Sequence, residues 1–598
     1  MAFNKYYQDE LSYLREMGSL FSQQNPGLAR YLSEQGRDPD VERLFEGFAF
    51  LTGRLRQKLD DELPEVTHSL INLLWPHYLK PLPAMSVLEF KPIANALTEG
   101  KRIERGAQVQ SVEVEGTSCQ FRTCYDVDVF PFDIDRVDVE NHSDGASLDV
   151  GFQIDSAATT DSWALNSLTL FLHSERDTYI SQALYLWLFR YLDSIDIKVK
   201  LRGSEATKRY TLPIIALKAK GFDEREELLP YGNRSFRGYR YIQEYFSLPE
   251  KYQFVELGQL DSILNQEMIE RFDISFKFNR RLDSQIRVKK EHIRLFCTPI
   301  INLFDAECDP IRIDAKRLEY SVRPTHRNQE HIELYSVDSV TGQQRGRSVP
   351  ISYPAYESFE HECNDMDGIG QKQAFYKLRR SLSTLQSGLD TSVSFNDAGG
   401  EKSIPVSETV SIELTCTNRR LPETLRAGDV IYPTANSPEF VTFKNISRIT
   451  PSLPPPMQEG LQWQLISQMA LHYRAMSKVE SLRTMLKSYD FRAFYDRQAE
   501  RTNKQLMEAI HSVKTDAVDR LHRGVPVRCL RTRLELWESK FGAKGIQGES
   551  SMFLFAAVLN GFFTQYANIN SYHELEVEGL ENGETYQWKI RAGQQHLL

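Results

Sequence analysis

The feature that most constrains this 598-residue chain is a change of hydrophobic period near residue 84. Before about residue 80, apolar side chains recur at three- and four-residue steps, the spacing of one helix face; beyond it they alternate, the spacing of one strand face. Val87, Phe90, Ile103, Val109, Val112, Val114, Phe121, Val127, Val129, Phe132 and Ile134 mostly alternate with polar or charged neighbours, with turns at Gly100, Gly106 and Gly116. The expected class is α+β and multidomain: N-terminal amphipathic helices, β-rich antiparallel middle domains and a mixed α/β C-terminal domain. Roughly 100–200 residues per domain implies three to five domains or subdomains. The pattern places them at 1–83, 84–225, 226–400 (with a linker near 340–400) and 401–598.

In the N-terminal part, Tyr7, Leu11, Leu14 and Phe21 open one amphipathic segment that ends before the Asn25-Pro26-Gly27 turn. A second helix is predicted to start near Pro39, because Asp38 can cap it, proline fits the first helical position, and Asp40 and Glu42 meet the positive end of the dipole. Val41, Leu44, Phe45, Phe48, Leu51, Leu55 and Leu59 then share one face. Pro64 breaks the pattern. Val66, Leu70, Ile71, Leu73 and Leu74 give a second short apolar face, ended by Trp75-Pro76, and Pro76, Pro81 and Pro83 form a stiff connector. Such faces need cover, and periodicity does not say whether the same chain or a partner supplies it.

Further on, Ser181–Tyr191 fits either a short helix or continued strand, and Gln371–Leu385 fits a helix, with a flexible boundary near 400. Val410–Cys416 and Phe440–Ile449 are strand-like, and a proline run, Pro451–Pro456, precedes a long helix around Leu465–Leu486. A last helix at about 550–566 carries Phe553, Leu554, Ala557, Val558, Phe562 and Phe563, and an alternating Tyr572–Glu578 follows. No repeat of fixed period is present.

A net charge of -10, from 72 basic and 82 acidic residues, is mild for this length and argues against bulk nucleic-acid binding. The opening MAFNKYYQDELSYLREMG lacks the order of a secretory signal, which points to a cytoplasmic chain. The apolar clusters Leu184–Phe189 and Phe553–Leu559 fall far short of the roughly 20 residues of a membrane span. The cysteines at 119, 124, 297, 308, 363, 416 and 529 are odd in number and irregularly spaced, as reduced, packed thiols would be.

No phosphate-cradling loop, dinucleotide fingerprint, zinc-protease motif or nucleophile elbow occurs. His361, Glu362, Cys363, Asp365 and Asp367 form the densest ligand-capable cluster, and Asp365-Met366-Asp367-Gly368 resembles part of a calcium loop. The acid that should close that loop is missing from GIGQKQAFYK, so the segment reads as a solvated loop. Cys119 and Cys124 would point to opposite faces of a strand, and His326 and His331 lack a third ligand, so all four read as structural. Arg234, Arg237 and Arg240 interleave with Phe236, Tyr239 and Tyr241, a pattern suited to stacking on bases or to a protein interface. The nearby Glu244 and Glu250 and the acidic balance favour the interface. No catalytic residue, cofactor site or metal site is assigned.

Several long blocks carry a resemblance: LTGRLRQKLDDELPEVTHSLINLLWPHYLKPLPAMSVLEF near the N-terminus, then GYRYIQEYFSLPEKYQF, LFCTPIINLFDAECDPI, HIELYSVDSV, LTCTNRRLP, WQLISQMALHY and SSMFLFAAVLNGFFTQYANINSYHEL. In this order, over essentially the whole length, they resemble the TssF family of type VI secretion baseplate subunits, also called VasA or ImpG. Phe375-Tyr376 departs locally from the tyrosine-tryptophan-like pair expected there.

The resemblance implies a cytoplasmic structural protein without catalytic residues or cofactor. Two copies of TssF would join one TssG in the core of a wedge like those of contractile phage tails. The wedges would surround the VgrG spike hub, with TssK linking them to the membrane complex and TssE to the sheath. No nucleic acid and no direct membrane insertion are implied. Candidate partner-facing residues are Leu44, Phe45, Phe48, Leu51 and Leu55 on the first long helix, Arg234, Phe236, Arg237 and Tyr239 on the arginine-aromatic segment, and Phe553, Phe562 and Phe563 on the last helix. The competing classes are a metal-dependent hydrolase built on the His361 cluster and a free-standing carbohydrate- or nucleic-acid-binding module.

Overall fold

The computed structural model describes residues 39–60, 70–344, 350–356, 374–382, 389–397, 408–456 and 478–594, apart from Leu74 and a few short loops, with parts of 7–17. Two compact units divide the chain: Met1–Leu79 with Met457–Ser467, and Lys80–Pro456 with Gln468–Leu598.

In the first unit, helix α1 spans Pro39–Asp60 and begins at the expected proline. A short helical piece at 70–73 ends where the Trp75 N–H donates to the Ile71 carbonyl (2.6 Å). Pro76–Leu79 then forms a single 3-10 turn with His77, Tyr78 and Leu79 buried.

The second unit is strand-rich. A six-stranded antiparallel sheet runs in the order Val430–Pro433, Gln108–Val114, Thr117–Thr123, Cys297–Ile301, Met85–Pro92 and Val441–Asn445. Asn445 ties its two edges together. Its carbonyl and side-chain oxygens accept from the Gly428 N–H at 2.8 and 2.9 Å, and the side chain also accepts from the Val430 N–H at 3.0 Å. A five-stranded sheet follows the order Thr207–Leu212, Leu192–Leu201, Ile269–Phe278, Ala146–Ile154 and Phe132–Asn141. Pairing therefore crosses the expected boundaries near residues 225 and 400. Antiparallel ladders accept strands from anywhere in a chain, so local periodicity marks the strands without marking where a domain stops.

Several local expectations hold and others do not. Ser181–Tyr191 is helical: α2 covers Thr178–Leu186, passes through a π turn at Trp187–Tyr191 and runs into strand Leu192–Leu201. Ala374–Leu382, within the segment expected to be a helix, is instead a strand paired from Ala374↔Asp397 to Leu382↔Leu389. Phe375, Leu378 and Leu382 fit a helical stripe, but the partner strand Leu389–Asp397 follows closely enough in sequence to decide the outcome. Of the expected long helix at 465–486, the described part is Val479–Tyr489 (α4), and the rest lies outside the described residues.

The core of this unit gathers around α6, Ile546–Tyr566, which packs against α2, against α3 (Gly238–Ser247) and against strand Tyr572–Gly579. Helix α5, Arg497–Ala509, leads into the C-terminal sheet. Met552, Leu554, Phe555, Ala556, Val558 and Leu559 of α6 are completely buried, the mark of a helix apolar on all sides. Gly561 admits close neighbours there: an added Cβ would lie 3.0 Å from the Phe222 ring and 3.4 Å from Tyr241. No helix among the described residues is long and apolar enough to cross a membrane.

Burial beside α6 makes one residue sensitive to acid. His573 is fully buried, its Nε2 lies 3.0 Å from the Thr532 hydroxyl, and desolvation pulls its pKa down to about 3. The unfolded chain takes up this proton near pH 6.5 and the folded chain does not until about pH 3, so folding stability falls as pH drops between those values. The slope from this residue alone is about 1.4 kcal/mol per pH unit. His573→Gln is expected to flatten the acid limb of a stability-versus-pH curve measured by denaturant unfolding; an unchanged slope would contradict the assignment.

Candidate partner-binding surfaces

On α1 three large apolar side chains are exposed while two small residues are buried. Leu44, Phe48 and Leu51 are 71%, 56% and 62% exposed, whereas Ala49 and Gly53 are buried. Leu44, Phe48 and Leu51 follow i, i+4, i+7 spacing, so they form one continuous stripe. Phe45, beside the stripe, is half-buried, and the side chain of Leu55 lies outside the described residues. A contiguous exposed apolar stripe is the kind of surface that marks an interaction site, which makes α1 the candidate contact element.

The arginine-aromatic segment behaves differently. Arg234 lies outside the described residues, and Arg237 is ion-paired with Glu224. Tyr239 is buried and stacks on Tyr489 of α4, with centroids 4.9 Å apart and planes 9° apart. Phe236 meets Phe562 and Tyr566 of α6 edge-on at 6.0 and 5.0 Å. These rings tie α3, α4 and α6 together inside one chain.

The phenylalanines expected to serve as anchors on the last helix are likewise internal. Phe553 stacks on Trp588 at 5.2 Å, Phe563 on His573 at 5.6 Å, and Phe562 is fully buried. Tyr239, Phe553, Phe562 and Phe563 therefore correct the sequence-based expectation. Their apolar density reflects an all-round buried helix and its aromatic struts, not a free face. Phe562→Ala is expected to destabilise the isolated chain by about 3–5 kcal/mol, read as a fall in its unfolding midpoint without any partner present. An unchanged midpoint would place the ring outside the core.

Beneath this cluster lies a charged group that the sequence did not single out. Glu244 and Lys251 are both fully buried and hydrogen-bonded to each other, and Arg240, equally buried, sits 3.9 Å from the same carboxylate. The Glu244 Oε1 accepts from the Leu228 and Leu229 N–H groups at 2.8 and 3.0 Å. Arg240 also donates to Glu227 at 3.1 Å and to the Asp223 carbonyl at 3.2 Å. Burial pulls the Lys251 pKa down, opposed by the adjacent Glu244. The signal available in the sequence was the Arg240, Glu244, Lys251 spacing, which a solvated helix face would share.

Little else among the described residues suggests chemistry. The free cysteines at 119, 124, 297, 308, 416 and 529 are buried, and desolvation pushes the Cys119 and Cys124 thiols up to about 12, so they are inert packing groups. The His331 Nδ1 lies 2.8 Å from the Thr117 hydroxyl, and the His326 ring accepts from the Asn328 N–H at 3.1 Å. Among the described residues no group of three or more His, Cys, Asp or Glu side chains is arranged to hold a metal. The His361 cluster lies outside them.

Residues 1–595 match the family model described as "Type VI secretion system, TssF". The chain belongs to the TssF family. It is 30% identical to the type VI secretion system component TssF1 of Pseudomonas aeruginosa over 641 aligned positions, covering 98% of each chain. A chain of the type VI secretion system TssK-TssF-TssG baseplate subcomplex, solved by cryo-electron microscopy, superposes with a TM-score of 0.74 at 29% identity, covering 92% of this chain and 98% of that one. A chain of the baseplate complex from the type VI secretion system shares the fold, with a TM-score of 0.66 at 24% identity over 99% of both chains. The stripe on α1 is exposed, whereas the aromatic and ionic groups around α3, α4 and α6 are mostly buried.

Proposed function

We propose that this chain is a structural, non-catalytic subunit of a cytoplasmic type VI secretion baseplate. The whole-length relation to the TssF family carries the reading. In it, two copies of the chain join one TssG counterpart to form the core of a wedge, and TssK links the wedge to the membrane complex. TssE joins it to the sheath, and the wedges surround the VgrG spike hub. The Leu44, Phe48, Leu51 stripe supports a docking role for α1, with TssG or the second copy of the chain as its cover.

Mechanistically, such a subunit works by switching between packed interfaces when the sheath fires, and no turnover is involved. The internal Glu244–Lys251–Arg240 group and the aromatic struts support motion as a body, because a buried network of ion pairs and hydrogen bonds resists local deformation. The test is co-expression with the TssG counterpart from the same source. Co-elution of the two chains through affinity and size-exclusion steps supports the proposal, and separation into independent peaks overturns it.

A further inference from the structure

Segments far apart in sequence meet around a cavity of about 450 Å³, lined by Arg190 and Tyr191 of the π turn, Asn279 and Arg280 just after strand Ile269–Phe278, and Glu584 and Thr585 at the start of strand Thr585–Gln587. That volume lies within the roughly 300–1,000 Å³ of ligand pockets. The π turn, an irregularity of a kind that recurs at functional sites, brings Arg190 and Tyr191 to the wall.

The carboxylates around this cavity are spent internally. Glu584 is ion-paired with Arg280 at 3.0 Å. The Tyr191 hydroxyl accepts from Arg280 and lies 3.1 Å from Glu584 and 3.0 Å from Glu549, a buried residue near the start of α6 that also accepts from the Tyr586 hydroxyl at 2.8 Å. Several donors are left over. Arg190 donates through Nη2 to the Thr585 carbonyl at 3.2 Å and lies against the Tyr191 and Tyr586 rings, 5.9 and 5.5 Å from their centroids, but has no carboxylate partner among the described residues. Its Nε and Nη1 make no hydrogen bond among those residues, and the hydrogen bonds of Arg280 all run through Nη1. Two guanidinium groups with unused N–H groups suit a carboxylate, which accepts from such a fork in parallel. Arg190 and Arg280 set against Glu549 and Glu584 carry no net charge, which favours one added negative charge over the two of a phosphate dianion. The Asn279 carboxamide and the Thr585 hydroxyl, both on exposed residues, offer an acceptor and donors of the kind a peptide group needs.

We infer that this cavity binds the side-chain carboxylate of a glutamate or aspartate in an extended peptide segment of another protein, Arg190 and Arg280 holding the carboxylate and Asn279 and Thr585 the adjoining peptide group. The site uses no residue of α1 and its test uses this chain alone, so its failure would leave the baseplate reading standing. The full-length chain is titrated at constant ionic strength with a blocked Ala-Glu-Ala tripeptide, followed by saturation-transfer NMR, and in parallel with blocked Ala-Gln-Ala, acetate and inorganic phosphate. The glutamate peptide is expected to bind about tenfold or more tightly than the glutamine peptide or either free anion. Arg190→Gln should weaken it about tenfold or more while the unfolding midpoint stays close to that of the parent, since Arg190 is exposed. Arg190→Lys, which keeps the charge and loses the fork, should recover only part of the affinity. Absence of saturable binding by the glutamate peptide, or equal binding by the parent and R190Q, would overturn the inference. Acetate or phosphate binding as tightly as the peptide would also overturn it, by making this a site for free anions.

Discussion

Glu244→Gln is expected to cost the fold about 3–5 kcal/mol, a large share of the roughly 5–15 kcal/mol that holds a typical domain together. The substitution keeps size and most hydrogen bonding but removes the one negative charge shared by Lys251 and Arg240, all three being buried. Arg240 would retain Glu227 at 3.1 Å, whereas Lys251 would stay in a dry site beside a neutral amide. Lys251→Met should be milder, because Arg240 remains to balance Glu244. The double variant should lose less than the sum of the two, with a coupling of about 1–3 kcal/mol. Denaturant unfolding of the three variants measures this, and strictly additive losses would show that the buried groups do not act together.

Replacing Leu44, Phe48 and Leu51 together by aspartate should have the opposite profile. Each side chain is mostly exposed, so the isolated chain should unfold at nearly its original midpoint, while association with the TssG counterpart falls by two orders of magnitude or more. The expected size follows from burying three unpaired carboxylates in an apolar contact, at about 1–3 kcal/mol each or more. Co-purification with both chains at controlled concentration reads the effect. An intact complex would remove α1 from the list of docking elements.

The start of α1 was legible because Asp38, Pro39 and the three- and four-residue steps all point the same way. Leu44 and Phe48 were legible as a face, but the inward turn of Ala49 and Gly53 was not, since small residues carry little hydrophobic signal. Phe553, Phe562 and Phe563 were legible as apolar and misassigned as partner anchors, because a helix apolar on all sides looks from one face like a docking stripe. The ladder joining Met85–Pro92 to both Cys297–Ile301 and Val441–Asn445 spans hundreds of residues and leaves no local trace. The family itself was legible in long ordered blocks, which individual motifs were too short to convey.

The proposed wedge is tested most directly by the mass, from light scattering, of the purified complex of this 69.1 kDa chain with its TssG counterpart. A stable assembly containing two copies of this chain and one of the partner is expected. A 69.1 kDa monomer whose mass does not change when the partner is added would contradict it.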